Sequence, residues 1–258
     1  MTTRITPWPH GTPSWVDLGV GDVEAAKSFY SGLFSWEFES GGQDSGGYLL
    51  AHLDGHAVAG IGPKQDPAAP TVWTTFIGSN DVDATARAAT AAGGTLLAEP
   101  FDVMNSGRMA IISDSVGAVF GVWQAGSHIG AGRVNEHGAV CWNELHTRDY
   151  DEARTFYSAV FGYTYNDVSG EDFVYSTFAR AGESDEVGGI HHDVQLPDGM
   201  PNYWLSWFAV RDVDASTAAA VELGANVLVP TMESAFGRMS IVQGPQGEVF
   251  GLITLPAE

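Results

Sequence analysis

The chain runs through its pattern twice, and that repetition limits the folds open to it more than any single motif does. Residues 142–162 read as a strand, a sharp entry into a helix and a glycine stop, and residues 15–30 follow the same order of residue types. Trp15 answers Trp142, Asp17 answers Glu144, Asp22 answers Asp149, and Phe29-Tyr30 answers Phe156-Tyr157. Further on, Trp204 answers Trp73, Asp212 answers Asp81, Gly224 answers Gly93, Gly237-Arg238-Met239 answers Gly107-Arg108-Met109, and Phe250-Gly251 answers Phe120-Gly121. Chance does not hold such a register over more than a hundred residues.

Each half divides again. Strand-like residues 14–20 lead into a helix capped by Asp22, whose Ala25, Ala26, Phe29, Tyr30 and Leu33 recur at helical spacing. Short β runs follow, split by Asp54-Gly55, a dipeptide that favours a tight hairpin. A strand at 72–78, a helix capped by Asp81 and ending at Gly93-Gly94, and three more strands restart the pattern. Asp149 with Glu152 three positions on predicts a capping box at the matching helix of the second half. The organisation read from this is an arm over 1–13 with three prolines, a first domain over 14–125, a glycine-rich linker over 126–138 and a second domain over 139–258. Two domains of about 125 residues fall near the ordinary size for one core each.

Charge removes several functions. Lys plus Arg number 11 against 32 Asp plus Glu, and a formal charge of −21 repels nucleic acid and anionic membranes alike. The single Cys141 makes no internal disulfide, and neither a basic-then-apolar leader nor a run of about 18 apolar residues occurs. These features predict a cytoplasmic protein that is a monomer or homodimer and takes a small-molecule ligand.

The Asp-capped helix ending in Phe-Tyr, and the Gly-Arg-Met strand followed by Asp114-Ser-Val-Gly117 or Gly244-Pro-Gln-Gly247, resemble the vicinal oxygen chelate superfamily of glyoxalases, bleomycin-resistance proteins and extradiol dioxygenases. Residues 11–18, 128–130 with 134–136, and 142–145 look most like its two-domain actinobacterial members, often labelled glyoxalase-like proteins or hydroxylases. The resemblance implies an α+β fold: two tandem domains, each a pair of βαβββ units forming a cupped mixed sheet with helices on the convex face. It also implies metal-ligand positions on the first strand of each unit and near the end of each domain's last strand. In this chain they fall on Trp15, Thr74, Trp142, Leu205, Gly121 and Gly251, and none offers an imidazole or carboxylate. The familiar metal chemistries of the family are therefore not expected here, and no cofactor is predicted.

Strand alternation then selects the remaining candidates. Asp17 shares a face with Trp15, and Glu144 and His146 share one with Trp142. Asp17, Glu144 and His146 become candidate acid–base residues, Glu144 as a general base under a tryptophan; the alternative is that these acids pair with an Arg or with backbone N–H groups. Trp15, Trp123, Trp142 and Trp207 fall on the cavity parity and would stack an aromatic ligand, or fill the cup themselves, whereas Trp73 and Trp204 face the helices. Arg108 and Arg238 are candidates to orient a ligand oxygen, with bracing of a loop as the competing role. A non-standard divalent site would draw on Glu144, His146 and one of His191 or His192. Cys141 lies on the opposite parity and is expected under a helix.

The expected function is a glyoxalase-like protein binding a hydrophobic or aromatic metabolite without a metal and acting on it by acid–base chemistry. The alternatives are a metal-dependent glyoxalase, lyase or oxygenase (hydroxylase) with that non-standard site, and a non-catalytic binding or resistance protein.

Overall fold

Period-two and period-3.6 hydrophobic patterns alternate along the chain, and the computed structural model, which describes residues 2–42 and 45–255, turns each into the corresponding element. Residue 1 of the arm and residues 256–258 of the second half lie outside the described residues. The first half contains β1 (Thr2–Thr3), β2 (Pro13–Val20), α1 (Val23–Phe34), β3 (Glu37–Ser40), β4 (Leu49–Leu53), β5 (His56–Pro63), β6 (Trp73–Gly78), α2 (Val82–Ala91), β7 (Thr95–Val103), β8 (Gly107–Ser113) and β9 (Val119–Ala125). After β10 (Arg133–Val134), the second half contains β11 (Val140–Thr147), α3 (Tyr150–Phe161), β12 (Thr164–Asp167), β13 (Tyr175–Ala179), β14 (Glu186–His192), β15 (Tyr203–Ala209), α4 (Val213–Glu222), β16 (Asn226–Ser234), β17 (Gly237–Gln243) and β18 (Val249–Ile253).

Each half builds one eight-stranded mixed sheet, ordered β3-β4-β5-β2-β6-β9-β8-β7 and β12-β13-β14-β11-β15-β18-β17-β16. The orders correspond element for element, as the sequence repeat requires. The arm closes onto the linker, β1 pairing antiparallel with β10 and the Trp8 indole donating to the Ala131 carbonyl at 2.9 Å. Among the described residues no helix is long and apolar enough to cross a membrane.

The expectation of one core per domain is corrected by the helix layer. Helix α1 buries Ala26, Phe29, Tyr30 and Leu33 along one stripe, and this stripe joins Phe208, Val213, Ala220 and Phe250 of the second half. Conversely Phe156, Tyr157 and Val160 of α3 pack with Val82, Ala89, Ile112 and Phe120 of the first half. Both cores are thus shared between halves, because α1 packs against α4 and α2 against α3. The Phe-Tyr pairs explain themselves here. Tyr30 accepts the Trp73 indole N–H at 3.1 Å and donates to Glu248 at 3.1 Å, while Tyr157 accepts from Trp204 at 2.9 Å and donates to Asp114 at 2.8 Å. Each tyrosine therefore ties a tryptophan of its own half to an acid of the other half. Each such buried hydrogen bond contributes about 1 kcal/mol net.

Two local expectations fail for identifiable reasons. Asp22, Asp81 and Asp212 cap their helices through side-chain oxygens, but Asp149 makes no such bond. Its carboxylate instead accepts from Asn202 at 3.4 Å, and its N–H goes to the Thr147 hydroxyl. Cys141 does not lie under a helix: a β-bulge between Val140 and Trp142 breaks the alternation and packs it beside Trp142, Leu205 and Trp207. Burial pushes its thiol up to about 12, so it is no nucleophile.

Candidate functional site

The helix-free face of each sheet, its cup, carries the tryptophans assigned to it. Trp15, Phe76 and Trp123 cluster in the first cup and Trp207 with Trp142 in the second, while Trp73 and Trp204 belong to the helix side. The polar chemistry concentrates in the second cup, on β11 and β14. These parallel strands set Glu144 opposite Gly189 and His146 opposite His191, and the antiparallel β15 sets Tyr203 against His146. His146 stacks on Tyr203 with ring centroids 5.0 Å apart and meets His191 edge-on at 5.0 Å.

His146 is the centre of a chain of hydrogen bonds. Its Nε2 lies 2.9 Å from Glu144 Oε1 and its Nδ1 lies 2.9 Å from Asp193 Oδ2. The other Glu144 oxygen accepts the Tyr175 hydroxyl at 2.7 Å, and that hydroxyl accepts the Trp142 indole N–H at 2.8 Å. Gly189 permits this, since a Cβ there would collide with the Tyr175 hydroxyl. Trp207 adds another donor to Glu144. His191 Nδ1 approaches His146 Nδ1 to 3.4 Å, and its Nε2 makes no hydrogen bond among the described residues.

Charge follows from these contacts. Burial by itself would lower the His146 pKa, but the hydrogen bonds it donates to Asp193 and Glu144 outweigh that and hold it up at about 9. Burial likewise pushes Glu144 up, yet its bonds to His146, Tyr175 and Trp207 bring it below the usual carboxylate range. Asp193 is lowered by its hydrogen bond to His146. His191 is lowered by burial and by the neighbouring His146 charge. At neutral pH the arrangement is an imidazolium between two carboxylates with a neutral imidazole beside it.

The candidates read from the sequence divide accordingly. Glu144, His146, Trp142 and Trp207 come together, and His191 joins them. His192 does not: it points to the helix side and stacks on Tyr150 at 5.7 Å. Asp17, Trp15 and Trp123 lie in the first cup. Arg108 binds Asp83 at 2.8 Å and Asp102 at 3.0 Å, and Arg238 binds Asp214 at 2.7 Å and Glu233 at 2.9 Å. Both alternate away from the cup-facing Met109 and Met239, so the structure places them as braces outside the cups. Asp193, Tyr175, Tyr203 and Phe236, the last over Tyr175 at 5.8 Å, were not among the candidates. The repeat itself could have offered Tyr175, which answers Tyr48.

At the six places where the family resemblance puts metal ligands, the donors do not fit an ion. Gly121 lies under Phe76 and Gly251 under Trp207, Leu205 is buried, Thr74 offers only a hydroxyl, and the Trp15 and Trp142 N–H groups are bound to Tyr48 and Tyr175. A different set does have ligand spacing: His146, His191 and Asp193 each offer one atom, all within 4.8 Å of one another.

Fold and comparison agree on the class. Residues 12–122 match the model of the Glyoxalase/Bleomycin resistance protein/Dioxygenase superfamily and residues 139–253 that of a glyoxalase-like domain. The chain belongs to this superfamily, as two tandem domains of glyoxalase type. Among its relatives are a protein of Mycobacterium tuberculosis named Putative glyoxylase CFP32, 40% identical with 97% of each chain covered, and the anthracycline biosynthesis protein DauV of Streptomyces sp. (strain C5), 34% identical over 98% of this chain and 95% of that one. The Mn(II)-bound glyoxalase from Novosphingobium aromaticivorans shares the fold, with a TM-score of 0.64 at 20% identity over 95% of this chain and 82% of that one.

Proposed function

We propose that the second cup binds a small aromatic or hydrophobic metabolite and transfers a proton on it. The observation that carries this reading is His146 held between Glu144 and Asp193, each at 2.9 Å, in a cup walled by Trp142, Tyr175 and Tyr203. Glu144, saturated by His146, Tyr175 and Trp207, is a poor base and serves to hold His146 charged and oriented. His191 is the group that meets the ligand: it gives a proton from Nε2 and is reloaded at Nδ1 from His146, and the reverse transfer takes one up. The stacking walls suit a planar ligand, and the relative DauV is named for anthracycline biosynthesis. Native mass spectrometry of untagged protein, followed by Trp-fluorescence quenching with the ligand it finds, tests this. A copurified aromatic whose binding is lost in Trp142→Ala supports it; a ligand seated outside this cup refutes it.

A second reading rests on the spacing of His146, His191 and Asp193. These three would hold a divalent ion, with Glu144 behind His146 Nε2 as the orienting carboxylate. Such an ion would polarise a ligand oxygen. Elemental analysis decides between the two: close to one zinc, manganese or iron per chain, lost in Asp193→Ala, selects the metal reading.

A further inference from the structure

The acids facing the two cups stand at equivalent places but end differently. Asp17 lies in register with Gly60 as Glu144 does with Gly189. Each glycine lies under a tyrosine hydroxyl, Tyr48 over Gly60 and Tyr175 over Gly189. Each hydroxyl accepts the indole N–H of the tryptophan two residues before the acid, Trp15 at 3.1 Å and Trp142 at 2.8 Å. From Tyr175 the hydrogen bonding continues to Glu144 at 2.7 Å. From Tyr48 it stops: among the described residues neither the Tyr48 proton nor the Asp17 carboxylate has a hydrogen-bond partner.

The Asp17 side chain is shorter than that of Glu144 by one methylene, about 1.5 Å, which is room into which a ligand hydroxyl can enter to join the two groups. The other donors to Glu144 have no counterparts either, since Gly19 stands in the place of His146 and Phe76 in that of Trp207. Burial accordingly raises the Asp17 pKa to about 7. His128 of the linker lies against the same Trp15, edge-on at 4.4 Å, and against Trp123 at 5.6 Å. Its ring makes no hydrogen bond among the described residues, and its Nε2 is buried without a partner. Displacing that ring breaks ring contacts only, and another aromatic ring would restore them.

We propose that the first cup is a second ligand site, for a phenol whose hydroxyl stands between Tyr48 and Asp17 and whose ring takes the place of His128 against Trp15 and Trp123. The site is separate from the second cup and does not rest on the reading given for it.

Calorimetry with phenol and toluene tests the proposal in the wild type and in His128→Ala, which clears the ring position. Phenol should bind both proteins, His128→Ala at least tenfold more tightly, and in His128→Ala phenol should exceed toluene at least tenfold. Asp17→Glu, built on His128→Ala, should close the opening onto Tyr48 as Glu144 does onto Tyr175, and lower phenol affinity at least tenfold while leaving toluene unchanged. Tyr48→Phe on the same background keeps the ring, removes the donor, and decides the matter should the Asp17 variant not fold. Equal affinity for phenol and toluene, or undiminished phenol binding in both double variants, would overturn the proposal. So would binding confined to His128→Ala, because His128 would then be a permanent plug.

Discussion

The two cups share a backbone, and their side chains differ most in charge at three places along one edge. Where the second cup has His146, His191 and Asp193, the first has Gly19, Gly62 and Lys64. The equivalence is fixed by hydrogen bonding, since Lys64 N–H donates to Val20 O at 2.9 Å just as Asp193 N–H donates to Thr147 O at 2.8 Å. The Lys64 ammonium turns away to the Ala69 carbonyl. With no imidazole to neutralise it, Asp17 is left carrying burial alone, whereas Glu144 sits in a network that pays for its desolvation. One scaffold thus holds a charged, saturated cluster and, in the corresponding position, an acid with no hydrogen-bond partner among the described residues, and the difference lies in side chains, not in the sheet.

The largest test of that contrast is to remove the clamp. His146→Ala leaves Glu144 buried without its cation and should cost about 3–5 kcal/mol in urea denaturation. Replacing Glu144 by Ala as well should recover part of the loss, and full additivity of the two losses would show that they are not coupled. Adjacent histidines on opposite faces provide the next test. His191→Asn should lower turnover of a ligand substrate by about 10²–10⁴-fold, whereas His192→Asn, on the helix side, should leave it unchanged; equal losses would break the assignment of the cup face.

The two cups should also respond differently to pH. The folded-state pKa of Asp17, about 7, lies above its unfolded value. Its contribution to stability is therefore fully present below about pH 4 and is lost as pH rises through 7. Asp17→Asn should gain on the wild type between pH 5 and pH 8 by on the order of 3 kcal/mol, measured by chemical denaturation at each pH. A constant difference would mean that Asp17 has a partner in solution. The smallest effect concerns what the halves have in common. Tyr30→Phe and Tyr157→Phe should each lose about 1 kcal/mol, and unequal melting shifts would show that the two cores are not energetic equivalents.

Much of the site could be read along single strands. Two-residue alternation placed Trp142, Glu144 and His146 on one face without knowledge of any neighbouring strand. It failed at Cys141 because a bulge inserts a residue, which the local sequence does not announce. Asp193, Tyr175 and Phe236 escaped because they reach the cup from other strands and turns. Their nearness to Glu144 is a matter of register between segments some 30 to 90 residues apart. The choice between His191 and His192 was open for the same reason and closed only when β14 paired with β11.

By itself the sequence determined the elements, their repeat and the face each strand residue takes, since these depend on periodicities of two and 3.6 residues and on caps within a few positions. At the positions where the family resemblance implies metal ligands it shows Trp, Thr, Leu and Gly. Only the tertiary structure decided that each core draws helices from both halves, that His146 lies between Glu144 and Asp193, and that Tyr175 bonds Glu144 while Tyr48 makes no bond to Asp17. Those outcomes are set by contacts between distant segments at separations of a few ångströms, where hydrogen bonding and desolvation change steeply with distance and no local pattern carries the information.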